Sequence, residues 1–302
     1  MAHDEKVIAD LREKADRIRA MSIEQFTSIG QGHVGGTLSI ADVVAALYLH
    51  HIKVDPKNPD WPERDRVVWS KAHCAEAAYS ALTMLGMYDV EQLKTYYGYK
   101  SPFQGHADRW CTPGIDFSGG SLGQGLGFGC GLAVAEKFTQ KLYPDLTRPL
   151  DTDFAPRLIH KFPPLYRTYV ILGDGELHEG SNWESAMFAG KYKLDNLIAI
   201  VDYNKWCIDG PTDDVMPIEP LKAKWEAFGW SVTQIDGHNM RQILDTLDSV
   251  DRQFGDNKPK CIIADTVKGY GVELWETLHS HITRGQLTAT GVEQGRAKYG
   301  EV

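Results

Sequence analysis

The chain has 302 residues, 32 Lys and Arg against 41 Asp and Glu, and a formal charge of −9; at about 150 residues per domain that length allows one large domain or two small ones. An acidic balance without any dense Lys/Arg run excludes a protein that tracks a phosphate backbone, so no nucleic-acid partner is expected. Hydrophobic residues at 42% and charged residues at 24% exclude a disordered chain.

The opening segment, Met1–Ala20, spaces Val7, Ile8, Leu11, Ala15 and Ile18 along one helical stripe and predicts an amphipathic helix, not a signal peptide. Further helical patterns follow at Ile40–His50, Ala75–Leu85, Gly125–Phe138, Asn182–Ala189, Met240–Phe254 and Val292–Tyr299. Interleaved with them are five short runs rich in Val and Ile: Arg66–Ser70, Thr168–Leu172, Leu197–Asp202, Ser231–Ile235 and Cys261–Asp265. Such alternation predicts an α/β fold, a mostly parallel sheet with helices on both faces. No repeat or linker divides the chain, so a single domain over residues 1–302 is expected. The longest apolar stretch, Ile40–Leu49, is broken by Asp42 and falls short of the roughly 20 residues of a membrane span. With five widely spaced cysteines and no C-x-x-C pair, a cytoplasmic protein with reduced thiols and no membrane partner is expected.

In parallel sheets ligands bind beyond the carboxyl ends of the strands. Three runs lead there into Ser70-Lys71-Ala72-His73, Gly173-Asp174-Gly175 and Asp202-Tyr203-Asn204. The order strand, Gly-Asp-Gly, helix, strand, Asn places an Asp carboxylate and an Asn carbonyl on neighbouring strand ends, two hard oxygen donors suited to Mg²⁺ or Ca²⁺ carrying a diphosphate. The chain's 29 glycines concentrate nearby. Gly119, Gly120, Gly123, Gly125, Gly127, Gly129 and Gly131 read as a helix start that approaches a diphosphate, with Gly32, Gly35, Gly36, Gly173 and Gly175 bordering the same cleft.

The stretch from Tyr169 to Gly210 resembles the thiamine diphosphate motif, G-D-G followed about thirty residues later by Asn, in the form found in transketolases. Other segments agree in order. Ser28–Gly36 is similar to S-G-H-P-G-A, Arg64-Asp65-Arg66 followed by Ser70–His73 to R-D-R…S-x-G-H, and Gln104-Gly105-His106 to P-G-H-P. Gly120–Gly125 matches G-P-L-G-Q-G, and Asp236-Gly237-His238-Asn239 resembles D-G-H-D. The resemblance implies thiamine diphosphate and Mg²⁺, with Ca²⁺ or Mn²⁺ as alternatives. Asp174, Asn204 and the main-chain carbonyl of Trp206 would hold the metal, and the metal with Gly175 the diphosphate. His73, Gly120 and Leu122 would line the cofactor, while His33, His106 and His281 would face the reacting carbons, His281 also touching the cofactor. Glu179 would join a link between the two cofactor sites of a dimer. The family's G-T-H-x-x-H-G reads here Thr277–Ile282, so His279 competes with His281. His51, His160 and His178 match nothing and read as surface or satisfied histidines.

Full-length transketolases continue into a pyrimidine-binding domain, whose glutamate activates the cofactor, and a C-terminal domain. The resemblance therefore implies the amino-terminal subunit of a split transketolase, inactive alone. It would be completed by a separate subunit, in two copies of each, and would act on sugars or sugar phosphates. The alternatives are a 1-deoxyxylulose-5-phosphate synthase-like carboligase and a non-catalytic regulatory subunit. A proline-rich excursion at Tyr143–Leu165 reads as a surface loop or a wall of the entrance. Together with Trp110, Cys111, Trp206 and Cys207 it departs from the family pattern and suggests a donor other than the ordinary pentose phosphates.

Overall fold

The structure, a computed structural model, describes residues 3–142 and 165–302. The proline-rich stretch 143–164, with His160 in it, lies outside the described residues. From the amino terminus the elements are α1 (Glu5–Ile29), β1 (Gln31–Gly32), α2 (Val34–Ser39), α3 (Ala41–Ala46), β2 (Arg66–Trp69), α4 (Ala75–Met84) and α5 (Gly125–Leu142). Then come β3 (Thr168–Gly173), α6 (Gly180–Lys191), β4 (Leu197–Tyr203), α7 (Thr212–Val215), α8 (Leu221–Ala227) and β5 (Ser231–Asp236). Last are α9 (Met240–Arg252), β6 (Lys260–Asp265), α10 (Glu273–Thr277), β7 (Thr283–Arg284) and α11 (Gln286–Tyr299).

Five strands form an all-parallel sheet in the order β2-β3-β4-β6-β5. Alternate residues of each inner strand feed two separate cores, because successive side chains of a strand leave on opposite faces. Tyr169, Ile171, Ile198, Ile200 and Ile262 pack with residues of α1, α3, α4 and α9. Val170, Leu172, Leu197, Val201 and Ile263 pack with residues of α5, α6 and α8. Central β4 is buried at every position, whereas the edge strand β5 exposes Gln234 and Asp236. Helices therefore cover both faces, as the alternation of patterns predicts.

Local differences have physical causes. The first helix runs on to Ile29, because α3, α4 and α11 surround its second half and bury even Arg19, Glu24 and Gln25, which erases the amphipathic stripe. It stops at Gly30, whose φ of +66° is a left-handed cap. The expected helix at Ile40–His50 is instead three pieces, α2, α3 and a wider turn over Leu47–His51. A short antiparallel pair, β1 with β7, places Gln31 opposite Arg284 and Gly32 opposite Thr283. That pair draws the loops at His33 and His281 together above the sheet.

Candidate active site

Four strand ends converge at one side of the sheet. Beyond β2 lie Ser70, Lys71 and a tight turn, Ala72–Cys74, that carries His73. Beyond β3 come Asp174 and Gly175, beyond β4 Asn204 and Trp206, and beyond β6 Thr266 and Lys268. A cleft of about 400 Å³ opens there. His33, His73, His106, Gly120, Leu122, Asp174, Gly175, Glu179, Asn204, Trp206 and His281 all line it.

The floor of the cleft is ionic. Lys71, fully buried, donates from Nζ to Asp202 Oδ2 at 2.5 Å and to the Gly36 carbonyl at 2.8 Å. Asp202 also accepts from Ser39 Oγ at 2.6 Å, Thr266 Oγ1 at 2.5 Å and Asn204 Nδ2 at 3.1 Å. Despite its burial, that surrounding charge and hydrogen bonding hold Asp202 below the usual carboxylate range. Asp174 differs. It is 2% exposed and accepts the main-chain N–H groups of Gly175 and Lys205, yet burial and then the charge of Asp202 push it up to about 7. A buried carboxyl in that state calls for a cation. Lys268 Nζ donates to the carbonyls of Trp206 at 3.0 Å and Cys207 at 2.9 Å, so these oxygens face positive charge in the cleft. Asp174, the Asn204 amide oxygen and the Trp206 carbonyl form an all-oxygen donor set that fits a hard divalent cation.

The other end of the cleft is a cluster of imidazoles. The His33 ring lies 5.3 Å from His73, 5.5 Å from His106 and 5.7 Å from His281, and His73 lies 5.0 Å from His281. Burial first, then neighbouring positive charge, pushes His33 down to about 4 and His281 to about 3. His73 is lowered further for the same reasons, and the more open His106 is lowered by desolvation. All four are neutral at pH 7. Each can therefore accept or relay a proton without first losing one.

Residues 11–301 match the family model for the thiamine diphosphate binding domain of transketolase. The chain belongs to the transketolase family. It is 44% identical to a 6-deoxy-6-sulfo-D-fructose transketolase subunit from a Clostridium species, over 90% of each chain. A polypeptide of the two-part apulose-4-phosphate transketolase of Phocaeicola vulgatus is 36% identical over 89% of this chain and 86% of its own. The transketolase from Campylobacter jejuni superposes with a TM-score of 0.82 at 31% identity, covering 96% of this chain but 43% of that one. This transketolase chain thus spans nearly the whole of the named subunits and about two-fifths of the solved full-length enzymes.

Several readings from sequence need correction. Gly125 and Gly129 serve packing, since an added Cβ would strike Ser70 at 2.4 Å or Val170 at 2.5 Å. The Gly123 and Gly125 N–H groups are taken by Glu176 Oε1 and Ser70 Oγ, so they are not free for an anion. Gly32 and Gly35 likewise press on Phe26 and on the Ser280 carbonyl, whereas Gly36, Gly173 and Gly175 line the cleft. Trp110 is 83% exposed beneath Arg109 and does not line the cleft, so neither it nor exposed Cys111 narrows the entrance; Trp206 and Cys207 do line it. His178, read as unrelated to the site, stands at the rim and bonds the Met216 carbonyl at 2.8 Å. His51 is satisfied by the Tyr169 hydroxyl at 2.9 Å. Between the competing histidines, His281 sits in the cluster, while His279 stacks on the Trp206 ring at 4.0 Å. Lys268 and Asp202 went unassigned in the sequence, although both stand at strand ends, where a ligand site is sought.

Proposed function

We propose that this chain is the diphosphate-binding half of a two-polypeptide transketolase that moves a two-carbon ketol unit from a ketose to an aldose. The observation that carries the reading is the juxtaposition, in one cleft, of an oxygen-donor floor with four neutral imidazoles. Asp174, Asn204 and the Trp206 carbonyl would hold Mg²⁺, or Ca²⁺ or Mn²⁺ in its place. Gly175, His73, Gly120, Leu122 and the Lys268 ammonium would hold thiamine diphosphate. Bound there, the cofactor supplies the nucleophilic carbon and electron sink for breaking and making the C–C bond. His33, His106 and His281 bind sugar hydroxyls and take or return protons at the oxygens next to that bond. Their low basicity favours prompt proton return.

Glu179 stands exposed at the start of α6 and is suited to contact across a symmetric pair of these chains, so two copies of each subunit are proposed. The partner would bring the pyrimidine-binding domain and its activating glutamate, and the five free cysteines suit a cytoplasmic setting. Relatives named for a sulfonated ketose and for apulose 4-phosphate support a donor that ends in an anion and differs from the pentose phosphates. The ketol-transfer reading is favoured over a pyruvate-using carboligase by these relatives, and over a regulatory role by the crowding of titratable groups in the cleft.

Reconstitution tests the reading. The chain alone is expected to be inactive, and active with the pyrimidine-binding polypeptide on a sulfonated or phosphorylated ketose, without carbon dioxide release. In that complex Asp174→Ala is expected to weaken Mg²⁺-dependent thiamine diphosphate binding by more than the roughly 10–100-fold that changes around a metal's ligands cost. Turnover by the chain alone would overturn the split arrangement, unchanged binding in Asp174→Ala the metal assignment, and xylulose 5-phosphate as best donor the substrate class.

A further inference from the structure

Behind the imidazole cluster lies a carboxyl group that the proposed reaction does not use. Glu76, in the first turn of α4, is completely buried. Its Oε1 accepts the Tyr96 hydroxyl at 2.7 Å and its Oε2 the Thr37 hydroxyl at 3.0 Å. The main-chain N–H of His33 and its own N–H also donate to it. These donors are all neutral. They come from three places: the loop at Tyr96, helix α2 through Thr37, and the residue that opens α2, His33 itself. The main chain of Glu76 is fixed as well, its carbonyl accepting Gln25 Nε2 of α1 at 3.1 Å.

His33 depends on this arrangement. Its side chain caps nothing, and its Nδ1 is buried without a hydrogen-bond partner. The ring is therefore held by packing and by its main chain, and Glu76 holds that main chain.

We propose that Glu76 is the positioning residue for His33, its carboxylate gathering the His33 N–H and the Thr37 and Tyr96 hydroxyls so that the imidazole stands over His73 and His281. The assignment rests on His33 facing the reacting atoms. Protonating Glu76 would turn one of its oxygens into a donor, which must then turn away from Thr37 or Tyr96 and loosen the start of α2. Burial without a counter-charge pushes Glu76 up to about 7. The titratable groups around it do not change charge there. Tyr79 and Tyr96 are raised, Cys74 is pushed up to about 12, His33 lies at about 4 and His73 well below its ordinary value. Ionised Glu76 is the competent form, so activity is present above this range and falls as pH drops through it.

The test uses the complex with the partner subunit. Glu76→Gln is expected to lower kcat by about tenfold or more at pH 8, to leave the donor KM within about twofold, and to abolish the acid limb near pH 7. Thr37→Val and Tyr96→Phe each remove one donor and are expected to move that limb to higher pH. An acid limb that persists in Glu76→Gln, or that stays unmoved in both donor variants, overturns the proposal; the donor variants decide alone if Glu76→Gln does not fold. A second readout needs no activity. In the chain by NMR, His33 ring resonances are expected to shift through pH 7 in wild type and not in Glu76→Gln, and no such shift in wild type overturns the proposal. A silent wild-type complex would instead count against the functional reading.

Discussion

The two ends of the cleft bury titratable groups in opposite ways. At the floor, Lys71 and Asp202 keep their charges by pairing within a net of hydrogen bonds, and Lys268 is drawn toward carbonyls. At the other end four imidazoles crowd together, with ring centres 5.0–5.7 Å apart, and stay neutral. The floor is built to receive opposite charges, a metal and a diphosphate, whereas the imidazole end is built to exchange protons. Breaking the first should cost stability at every pH. Breaking the second should change how stability depends on pH.

The largest effect is expected at the floor. Lys71→Met leaves Asp202 buried without its counter-charge, a change that costs about 3–5 kcal/mol in comparable pairs. Urea denaturation of the chain at neutral pH measures it. Adding Asp202→Asn to the same chain removes the uncompensated charge and is expected to restore more than half of the loss. A single variant of wild-type stability would show that the floor is not held by this pair.

The imidazole end gives the intermediate effect, with the sign fixed by linkage. An unfolded histidine protonates near pH 6.5 while His33 and His281 resist until about 4 and 3. As pH falls below 6.5 the unfolded state therefore takes up protons that the folded state refuses, and folding loses up to about 1.4 kcal/mol per pH unit for each group. Above pH 6.5 their contribution is complete. Asp174 and Glu76, raised to about 7, act in the other direction, favouring the folded state as pH falls. The readout is therefore the difference between wild type and a His33→Asn, His281→Asn chain. The variant is expected to lose less stability from pH 7 to pH 5, and parallel pH curves would break the contrast between the two ends.

How legible these ends were in the sequence follows from the range of the interactions. The strands and most helices are written in periodicities of a few residues, and Gly173-Asp174-Gly175 with Asn204 carries its meaning in local order. The histidines came from a resemblance, since no spacing alone unites His33, His106 and His281. Lys71 and Asp202 meet across 131 positions, and Glu76 reaches Thr37 across 39. Nothing local distinguishes those residues from solvated charges. Glycines show the same limit. Gly120 opens into space and Gly125 presses on Ser70, yet both stand in one glycine-rich run, because the neighbour that decides the role is remote in sequence.

The smallest effect concerns a side-chain link between the two ends. The Trp206 ring, on the loop whose carbonyl faces Lys268, lies nearly parallel to His279 at 4.0 Å and 16°, two residues before His281. Aromatic pairs of this kind contribute about 0.5–1.5 kcal/mol beyond the area they bury. Trp206→Leu keeps the main-chain carbonyl and removes the stack, and His279→Leu removes it from the other side. If the stack ties the floor to the imidazole loop, the double variant costs less than the sum of the two single ones, by about that amount, in urea denaturation. Additive losses would mean that the rings merely lie together. Each end of the cleft would then be held by its own contacts alone: the floor by Asp202 and Lys71, the imidazole end by the β1–β7 pair and Glu76.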